Sequence, residues 1–190
     1  MRKVILYIAM SLDGFIADEQ GKVGWLLGED AGYPGDYGYE AFARNVDTVI
    51  MGRKTYDQIV TELSPDTWVY RGMKTYVLTH EKRKDRGEKI IFFSGRTSEL
   101  VETLKKESGK DIWVCGGSEV VRELMGEDLI DEYRLSVMPV ILGGGIRLFL
   151  GNHSSMYLHL KESRVENGVV CFTYVKRWPQ GLKEQRKEIV

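Results

Sequence analysis

The stretch DTVIMGRKTYDQIVTEL, residues 47–63, passes from a strand pattern directly into a helical one. Its first part, DTVIMG (47–52), is short and largely apolar, which is typical of a buried strand. Its second part, KTYDQIVTEL (54–63), is typical of a helix, and the Ser64-Pro65 pair that follows would end that helix. The stretch therefore predicts one strand-and-helix unit of an α/β fold.

The sequence on both sides continues this alternation. It predicts further strands at 3–10, 74–80, 89–94, 110–117 and 131–138, and further helices at 37–45, 96–108 and 118–126. Near the end, Asn167-Gly168 separates two alternating runs, which is a strong signal for a β-hairpin. We therefore expect one α/β domain over residues 1–178, with a mostly parallel sheet and an antiparallel C-terminal hairpin, and then a polar tail at 179–190.

The composition limits the classes of protein to which the chain can belong. Its 190 residues are enough for one domain with a hydrophobic core. The formal net charge is −1, so we expect no general attraction to nucleic acid or to an anionic membrane. No segment reaches the roughly 18 apolar residues of a membrane span, and the apolar N-terminal run is interpreted as a strand rather than a signal peptide. A cytoplasmic protein is expected, with Cys115 and Cys171 reduced in the core.

The junction Gly52–Thr55, with the sequence GRKT, is the first candidate binding feature. Ligands of an open α/β sheet bind at the carboxyl ends of the strands, where this junction is predicted to lie. If the helix begins at Arg53 or Lys54, its free backbone N–H groups face the crevice and its dipole favours an anion. Thr55 adds a hydroxyl, and the guanidinium of Arg53 suits a phosphate. The alternative is a surface turn with solvated cations.

The segment CGGSE, residues 115–119, is the second candidate. The Gly116-Gly117 pair at a strand end allows an unusual backbone geometry or the close approach of a ligand. The alternative is a tight turn in which Ser118 caps the next helix and Glu119 lies in its first turn. Both candidates place a helix N-terminus at the same edge of the sheet, so a dinucleotide pyrophosphate would fit across them.

Other common catalytic motifs are absent from the sequence. It contains no G-x-G-x-x-G fingerprint, no Walker motif, no G-x-S-x-G nucleophile elbow and no CxxC. The histidines His80, His153 and His159 do not have the spacing of a metal site. We therefore expect neither a metal site nor serine-hydrolase chemistry.

Three segments, in this order and spacing, resemble the dihydrofolate reductase superfamily: ILYIAMSLDGFIA, VIMGRKTY and WVCGGSEVVREL. A fourth segment, DEYRLSVMPVILGGGIRLF, resembles specifically the branch that includes the reductase domain of bacterial riboflavin biosynthesis. The resemblance runs from about residue 3 to residue 175. It implies a dihydrofolate reductase-like three-layer α/β/α fold that binds NADPH across the carboxyl edge of its sheet.

By this resemblance, the cofactor phosphates would lie on the Gly52–Thr55 junction, with the 2′-phosphate between Arg53 and the Thr79-His80 turn. The glycine pair, joined by a cis peptide, would lie beside the nicotinamide and the pyrophosphate. Ala9 would offer its backbone to the nicotinamide, and the loop at 11–16 would close over it. The expected cofactor-binding residues are Ala9, Asp13, Gly14, Gly52, Arg53, Lys54, Thr55, Thr79, His80, Cys115, Gly116, Gly117, Ser118 and Glu119.

The resemblance also implies a source for the catalytic proton. Dihydrofolate reductases carry a carboxylate on the helix before the VIMGR segment, and it pairs with a hydroxyl on a later strand. Asp36 lies 16 residues before Gly52, and Ser136 lies in the strand that matches the hydroxyl partner. Glu40 is the second candidate, and a water is the third. Two alternatives stay open: Asp36 as the N-cap of a short helix, and Glu40 on a solvated face.

In the riboflavin branch, a loop similar to GGGIRLF helps to form the substrate pocket. There the reaction reduces a ribosylamino-pyrimidine phosphate to its ribityl form. The resemblance therefore implies hydride transfer to a C=N or C=O carbon of a small pteridine- or pyrimidine-like substrate, in a protein that is a homodimer. A true dihydrofolate reductase and a catalytically inactive NADPH-binding dimer remain as alternatives. The expected substrate-contacting residues are Phe42, Tyr56, Pro139, Gly143 and Gly144.

Overall fold

The computed structural model describes residues 1–81, 83–84, 89–151 and 154–177. The predicted end of the domain at Trp178, the polar tail at 179–190 and His153 lie outside these ranges. No helix in the described ranges is long and apolar enough to cross a membrane.

An eight-stranded sheet forms the centre of the molecule. Its strands are β1 (Val4–Ser11), β3 (Val46–Gly52), β4 (Lys74–Leu78), β5 (Ile90–Phe93), β6 (Asp111–Gly116), β7 (Glu132–Met138), β9 (Leu158–Glu166) and β10 (Val169–Lys176). Their order across the sheet is β5-β4-β3-β6-β1-β7-β10-β9. All neighbours from β5 to β7 are parallel, whereas β10 is antiparallel to both β7 and β9. A separate short ribbon pairs β2 (Phe15–Ala17) with β8 (Ile146–Arg147).

Helices cover the sheet on both faces, because its central strands are apolar on both sides. On one face, Ile5 and Met51 pack against Phe42 and Tyr56 from the first two helices. On the other face, Leu6 and its neighbours pack against the last two helices. The three-layer fold and the mostly parallel sheet predicted from the sequence are therefore confirmed. The helices are α1 (Tyr39–Ala43), α2 (Arg53–Gln58), α3 (Thr97–Lys106) and α4 (Ser118–Gly126).

The strand-and-helix unit at 47–63 is confirmed, since β3 ends at Gly52 and α2 begins at Arg53. The last turn, Ile59–Leu63, widens into a π-helix before Pro65. In the C-terminal hairpin, Asn167 and Gly168 have φ angles of 50° and 75°. A tight hairpin turn of this kind requires positive φ at both central residues, which explains the Asn-Gly pair.

Two local features differ from the sequence-based expectation. Helix α1 begins only at Tyr39 because Tyr37 and Gly38 both have left-handed backbone angles. The segment after β1 was expected to be a loop, but its residues 15–17 pair with β8. The Arg147 guanidinium lies 4.5 Å over the Phe15 ring. This ribbon fixes the first loop to the segment that follows β7.

Candidate functional site

The two glycine turns meet at the carboxyl edge of the sheet. A Cβ added to Gly52 would lie 3.7 Å from the backbone nitrogen of Gly117. A Cβ added to Gly117 would lie 3.6 Å from Thr55 Oγ1 and 4.0 Å from Ile16 Cδ1. The Gly116–Gly117 peptide is cis, as the resemblance implied. Glycine backbone, together with the side chains of Thr55, Ile16 and Val120, therefore lines a cradle between the start of α2 and the start of α4.

Arg53 belongs to a network of two arginines and two carboxylates. Its Nη1 lies 3.0 Å from Asp57 Oδ2 and its Nη2 lies 3.8 Å from Glu81 Oε1. Arg83 contacts the same carboxylates, at 2.9 Å from Asp57 and 3.4 Å from Glu81. Since the contacts with Glu81 are long, an incoming phosphate would replace Glu81 at the two guanidinium groups more easily than Asp57.

The turn after β4 holds Glu81 in this network. Thr79 is buried, and its Oγ1 accepts a hydrogen bond of 3.1 Å from the Glu81 backbone nitrogen. His80 and Lys54 are exposed. Of the residues expected to hold the 2′-phosphate, Arg53 is paired with Asp57 and Glu81, and the Thr79 hydroxyl is engaged by the turn.

The side chains around the second glycine turn are engaged by other protein groups. The Cys115 thiol lies 3.3 Å from the Tyr70 hydroxyl, and burial raises the pKa of Cys115 to about 11. The Ser118 hydroxyl donates a hydrogen bond of 2.5 Å to the Arg147 carbonyl and does not cap α4. Glu119 forms an exposed ion pair within α4. Both cysteines are free thiols, as expected.

Asp13 ties the first loop to the glycine-rich loop. Its carboxylate accepts hydrogen bonds from Ser11 Oγ at 2.7 Å and from the backbone nitrogens of Leu142 and Gly143 at 3.1 and 2.8 Å. The Ser11 hydroxyl, aided by these two amides, lowers the pKa of Asp13 to about 2. The 11–16 loop, which was expected to close over the cofactor, is thus anchored at Asp13.

The Asp13 contacts should make the joint between the two loops sensitive to acid. Because its pKa is lower in the folded chain than the ordinary value near 3.8, the stabilisation is complete above about pH 4 and is lost as the pH falls towards 2. Asp13→Asn should lower the melting temperature by a few degrees at pH 5–7. This difference from the wild-type melting temperature should disappear near pH 2. The measurement is thermal unfolding across this range, with Asp66→Asn, an exposed change elsewhere, as the control. A difference in melting temperature that does not depend on pH would contradict this role of the Asp13 carboxylate.

A cleft of about 260 Å³ lies over the α1 face of β1, β7, β10 and β9. The strand register places side chains in two rows across these strands, because residues two apart in a strand point to the same face. The first row is Tyr7, Arg134, Thr173 and Glu162, and the second is Ala9, Ser136, Cys171 and Arg164. Ala9, whose backbone was expected at the nicotinamide, thus lies at the edge of the cleft.

Helix α1 and the loop before it form the other wall of the cleft. The Phe42 ring stacks on the Tyr7 ring, with centroids 4.2 Å apart and planes at 13°. The Arg134 guanidinium lies 5.4 Å from the Phe42 centroid. Arg164 donates a hydrogen bond to the Tyr37 carbonyl, which links β9 to the loop. Aromatic surface and two cations therefore face the same space.

Arg134 is held in the cleft by a buried carboxylate. Its Nε and Nη2 both lie 2.6 Å from Glu132 Oε1, and Glu132 is only 1% exposed. Lys3 Nζ lies 3.5 Å from the second Glu132 oxygen. This double contact fixes the guanidinium plane of Arg134 beside the Phe42 ring.

The three candidate proton-transfer residues have different surroundings. Asp36 accepts hydrogen bonds from the backbone nitrogens of Glu40 at 2.6 Å and Gly38 at 2.8 Å, and these bonds lower its pKa. It therefore caps α1 and carries its charge at neutral pH. Glu40 is exposed, at 3.9 Å from Arg44. Only Ser136 lines the cleft, with its Oγ 3.5 Å from Cys171 Sγ.

Some of the expected substrate-contacting residues lie at the cleft, and others do not. Phe42 borders the cleft but is only 1% exposed, and Tyr56 lies in the core, 2% exposed, without reaching the cleft. Pro139 is exposed beyond the end of β7. A Cβ on Gly144 would meet Glu19, so this loop packs beside the β2–β8 ribbon rather than over the cleft. Most residues that line the cleft were not among the candidates from the sequence, including the polar and charged residues Tyr7, Asn45, Arg134, Glu162 and Arg164.

The mostly parallel sheet, with two glycine turns at its carboxyl edge and a cleft on its α1 face, defines a dihydrofolate reductase-like, reductase-type fold. The chain matches the RibD C-terminal domain family over residues 2–172 and belongs to that family. This places it in the dihydrofolate reductase superfamily, in the branch resembling the riboflavin-biosynthesis reductase, as the sequence segments predicted.

Relatives and solved structures agree with this assignment. The uncharacterised protein YwjB of Bacillus subtilis is 39% identical over 175 residues, which are 92% of this chain and 98% of that protein. A candidate riboflavin biosynthesis protein from Shewanella sp. PV-4 has a TM-score of 0.82 at 30% identity, covering 93% of this chain and 99% of its own. Dihydrofolate reductase from Enterococcus faecalis, solved with NADP(H), has a TM-score of 0.67 at 18% identity, covering 93% and 97%. This last likeness shows the fold.

Proposed function

We propose that the protein is an NADPH-dependent reductase that transfers hydride to a C=N or C=O carbon of a pteridine- or ribosylamino-pyrimidine-like molecule. The observation that supports it most is the cradle between Gly52 and Gly117 at the carboxyl edge of the sheet. A pyrophosphate needs close approach to backbone N–H groups at helix starts, and glycines at both turns leave that space. The residues present therefore fit the cofactor.

Each part of the site has a task in this proposal. Thr55 and the glycine backbone would hold the pyrophosphate, and Arg53 with Arg83 would hold the 2′-phosphate in place of Glu81. When bound, NADPH supplies the hydride. The half-buried Tyr7 ring, backed by the buried Phe42 ring, offers an aromatic contact for the substrate ring and keeps water away from it.

The proposed contacts with the 2′-phosphate predict a preference for NADPH over NADH. Arg53→Ala should weaken NADPH binding by about 10- to 100-fold, because a hydrogen bond to a charged group contributes about 1.5–3 kcal/mol. NADH binding should change little, since NADH has no 2′-phosphate. The measurement is a titration of each nucleotide followed by tryptophan fluorescence and repeated by calorimetry.

Two further variants make this test specific. Glu81→Gln should tighten NADPH binding, because it removes the carboxylate that competes for Arg53 and Arg83. Arg44→Ala removes an exposed cation that follows α1, away from the glycine turns, and should leave binding unchanged. Binding of neither nucleotide by the wild-type protein would mean that the cradle is only a pair of turns, and the reductase proposal would fail.

A substrate screen then separates the remaining functions. Pyrimidine ribosides and dihydrofolate are the first compounds, and NADPH oxidation is the signal. Turnover of dihydrofolate with tight antifolate inhibition would identify a true dihydrofolate reductase. NADPH binding without turnover of pterins, pyrimidines or simple carbonyls would favour a binding protein that has lost catalysis. The homodimer stays a prediction from the resemblance, for sedimentation to test.

A further inference from the structure

Tyr7 occupies a fixed position in the cleft. It lies on β1 two residues before Ala9 and points to the same face, roughly 6.6 Å away along the strand. Its ring is stacked on Phe42 and meets the edge of Trp113 at 6.0 Å, and its carbonyl accepts the Trp113 Nε1 hydrogen bond at 2.9 Å. The phenol therefore has little freedom to turn away from a bound substrate.

The hydroxyl of Tyr7 has no hydrogen-bond partner within the part of the chain that the structure describes. Two other largely buried tyrosines have one: the Tyr70 hydroxyl is 3.3 Å from Cys115 Sγ, and the Tyr133 hydroxyl donates to Met156 Sδ at 3.2 Å. The Tyr56 hydroxyl also lacks one within the described residues, but it is enclosed in the core, where no ligand can reach it. A largely buried phenol usually finds a partner. Since Tyr7 lines the cleft, its free hydroxyl is available to a ligand there.

The carboxyl groups near the cleft are less suitable as proton donors. Asp36 is charged at neutral pH, because its oxygens accept two backbone hydrogen bonds that lower its pKa. Glu162 is exposed on the outer strand. Tyr7 keeps its proton throughout the neutral range, because burial raises its pKa to about 12.

We propose that the Tyr7 hydroxyl donates a hydrogen bond, and then its proton, to the substrate heteroatom that becomes negative during reduction. This rests on the proposed function. The substrate carbon accepts hydride from the reduced nicotinamide, and the π pair of the C=N or C=O bond moves to the heteroatom. The heteroatom takes the phenolic proton, so the O–H bond of Tyr7 breaks and a new N–H or O–H bond forms. Solvent returns a proton to the tyrosinate.

Some of the charges that face Tyr7 favour this proton transfer, and others oppose it. Arg164 from β9 and Arg134 from β7 favour the tyrosinate, so they would stabilise the charge left after proton transfer. Cys171 from β10 and Asp36 from the loop before α1 oppose it, and Glu162 adds a further negative charge on β9. The two arginines therefore face two carboxylates, Asp36 and Glu162, around the phenol.

Tyr7→Phe tests this role, because it removes only the hydroxyl and keeps the ring stack. Its matched control is Tyr39→Phe, whose ring also meets Trp113 at 6.0 Å but does not line the cleft. NADPH binding should be unchanged in both variants. With dihydrofolate or 5-amino-6-(ribosylamino)uracil 5′-phosphate as the substrate, kcat should fall about 100-fold in Tyr7→Phe alone, while KM rises by no more than about fivefold.

Two readouts separate proton donation from a packing effect. The kcat of Tyr7→Phe should fall as the pH rises from 6 to 9, because solvent must then supply the proton, whereas the wild-type value stays level. Independently of turnover, calorimetry should show folate binding about fivefold weaker in Tyr7→Phe, as expected for one lost hydrogen bond.

The outcomes distinguish this proposal from the reductase proposal. If Tyr7→Phe keeps the kcat, the pH profile and the folate affinity of the wild-type protein, the role of Tyr7 is overturned. The reductase proposal would still stand. If the wild-type protein reduces neither substrate, equal folate affinity in the two proteins would overturn the role of Tyr7. A wild-type protein that binds no NADPH, or none of these compounds, would overturn both proposals.

Discussion

Gly117→Val should weaken NADPH binding by about 10- to 100-fold, as expected when a side chain overfills a close-packed contact. The reason is the short distance between the two glycine turns. A Cβ at Gly117 would lie 3.6 Å from Thr55 Oγ1, so the extra methyl groups of valine would fill the space proposed for the pyrophosphate. Nucleotide titration followed by tryptophan fluorescence measures the effect.

The folded protein should tolerate this change. Gly117 has a φ of −80°, which L residues adopt readily, and its added Cβ would make only ordinary contacts. By contrast, Gly116 has a φ of 119° and would be strained by any side chain.

Two variants of the same type separate binding from folding. Gly117→Ala should have a smaller effect than valine, because it adds one carbon in van der Waals contact. Gly126→Val lies at the opposite end of α4, with no atom within 4 Å of the new Cβ, and should leave NADPH affinity unchanged. Wild-type affinity in a folded Gly117→Val protein would contradict the cradle.

The sequence predicted the main elements because their signals are local. The apolar run into Gly52, and the Asn167-Gly168 pair between alternating strands, are each contained in a few consecutive residues. The β2–β8 ribbon could not be predicted this way. It pairs residues 15–17 with 146–147, and neither segment is long enough to show a strand period.

The same distinction between local and long-range signals applies to the candidate site. The glycine turns could be located because ligands of such sheets bind where the strands end. The cleft depends instead on strand order, since Tyr7, Arg134 and Arg164 meet only because β1, β7, β10 and β9 lie in sequence across the sheet. The resemblance implied Asp36 as the acid, but a carboxylate before Gly38 and Glu40 can also bind the free N–H groups of a short helix.

Arg134→Met should lower the free energy of unfolding by about 3 kcal/mol, because it leaves a buried charge on Glu132 without its main partner. Glu132 is 1% exposed, and both contacting nitrogens of Arg134 lie 2.6 Å from its Oε1. The expected loss is at the low end for a buried pair, since Lys3 Nζ remains 3.5 Å from the other oxygen. Urea unfolding at equilibrium measures the change.

A control and a double variant test whether burial is the cause. Arg96→Met removes an arginine whose two partners are 46% and 66% exposed, and it should cost less than about 1 kcal/mol. Adding Glu132→Leu to Arg134→Met removes the stranded charge and should recover about 2 kcal/mol of the loss, a coupling that is typical of residues in direct contact. If Arg134→Met costs no more than Arg96→Met, the Glu132–Arg134 pair contributes as little as a surface ion pair. The orientation of Arg134 in the cleft would then have to come from its contact with the Phe42 ring.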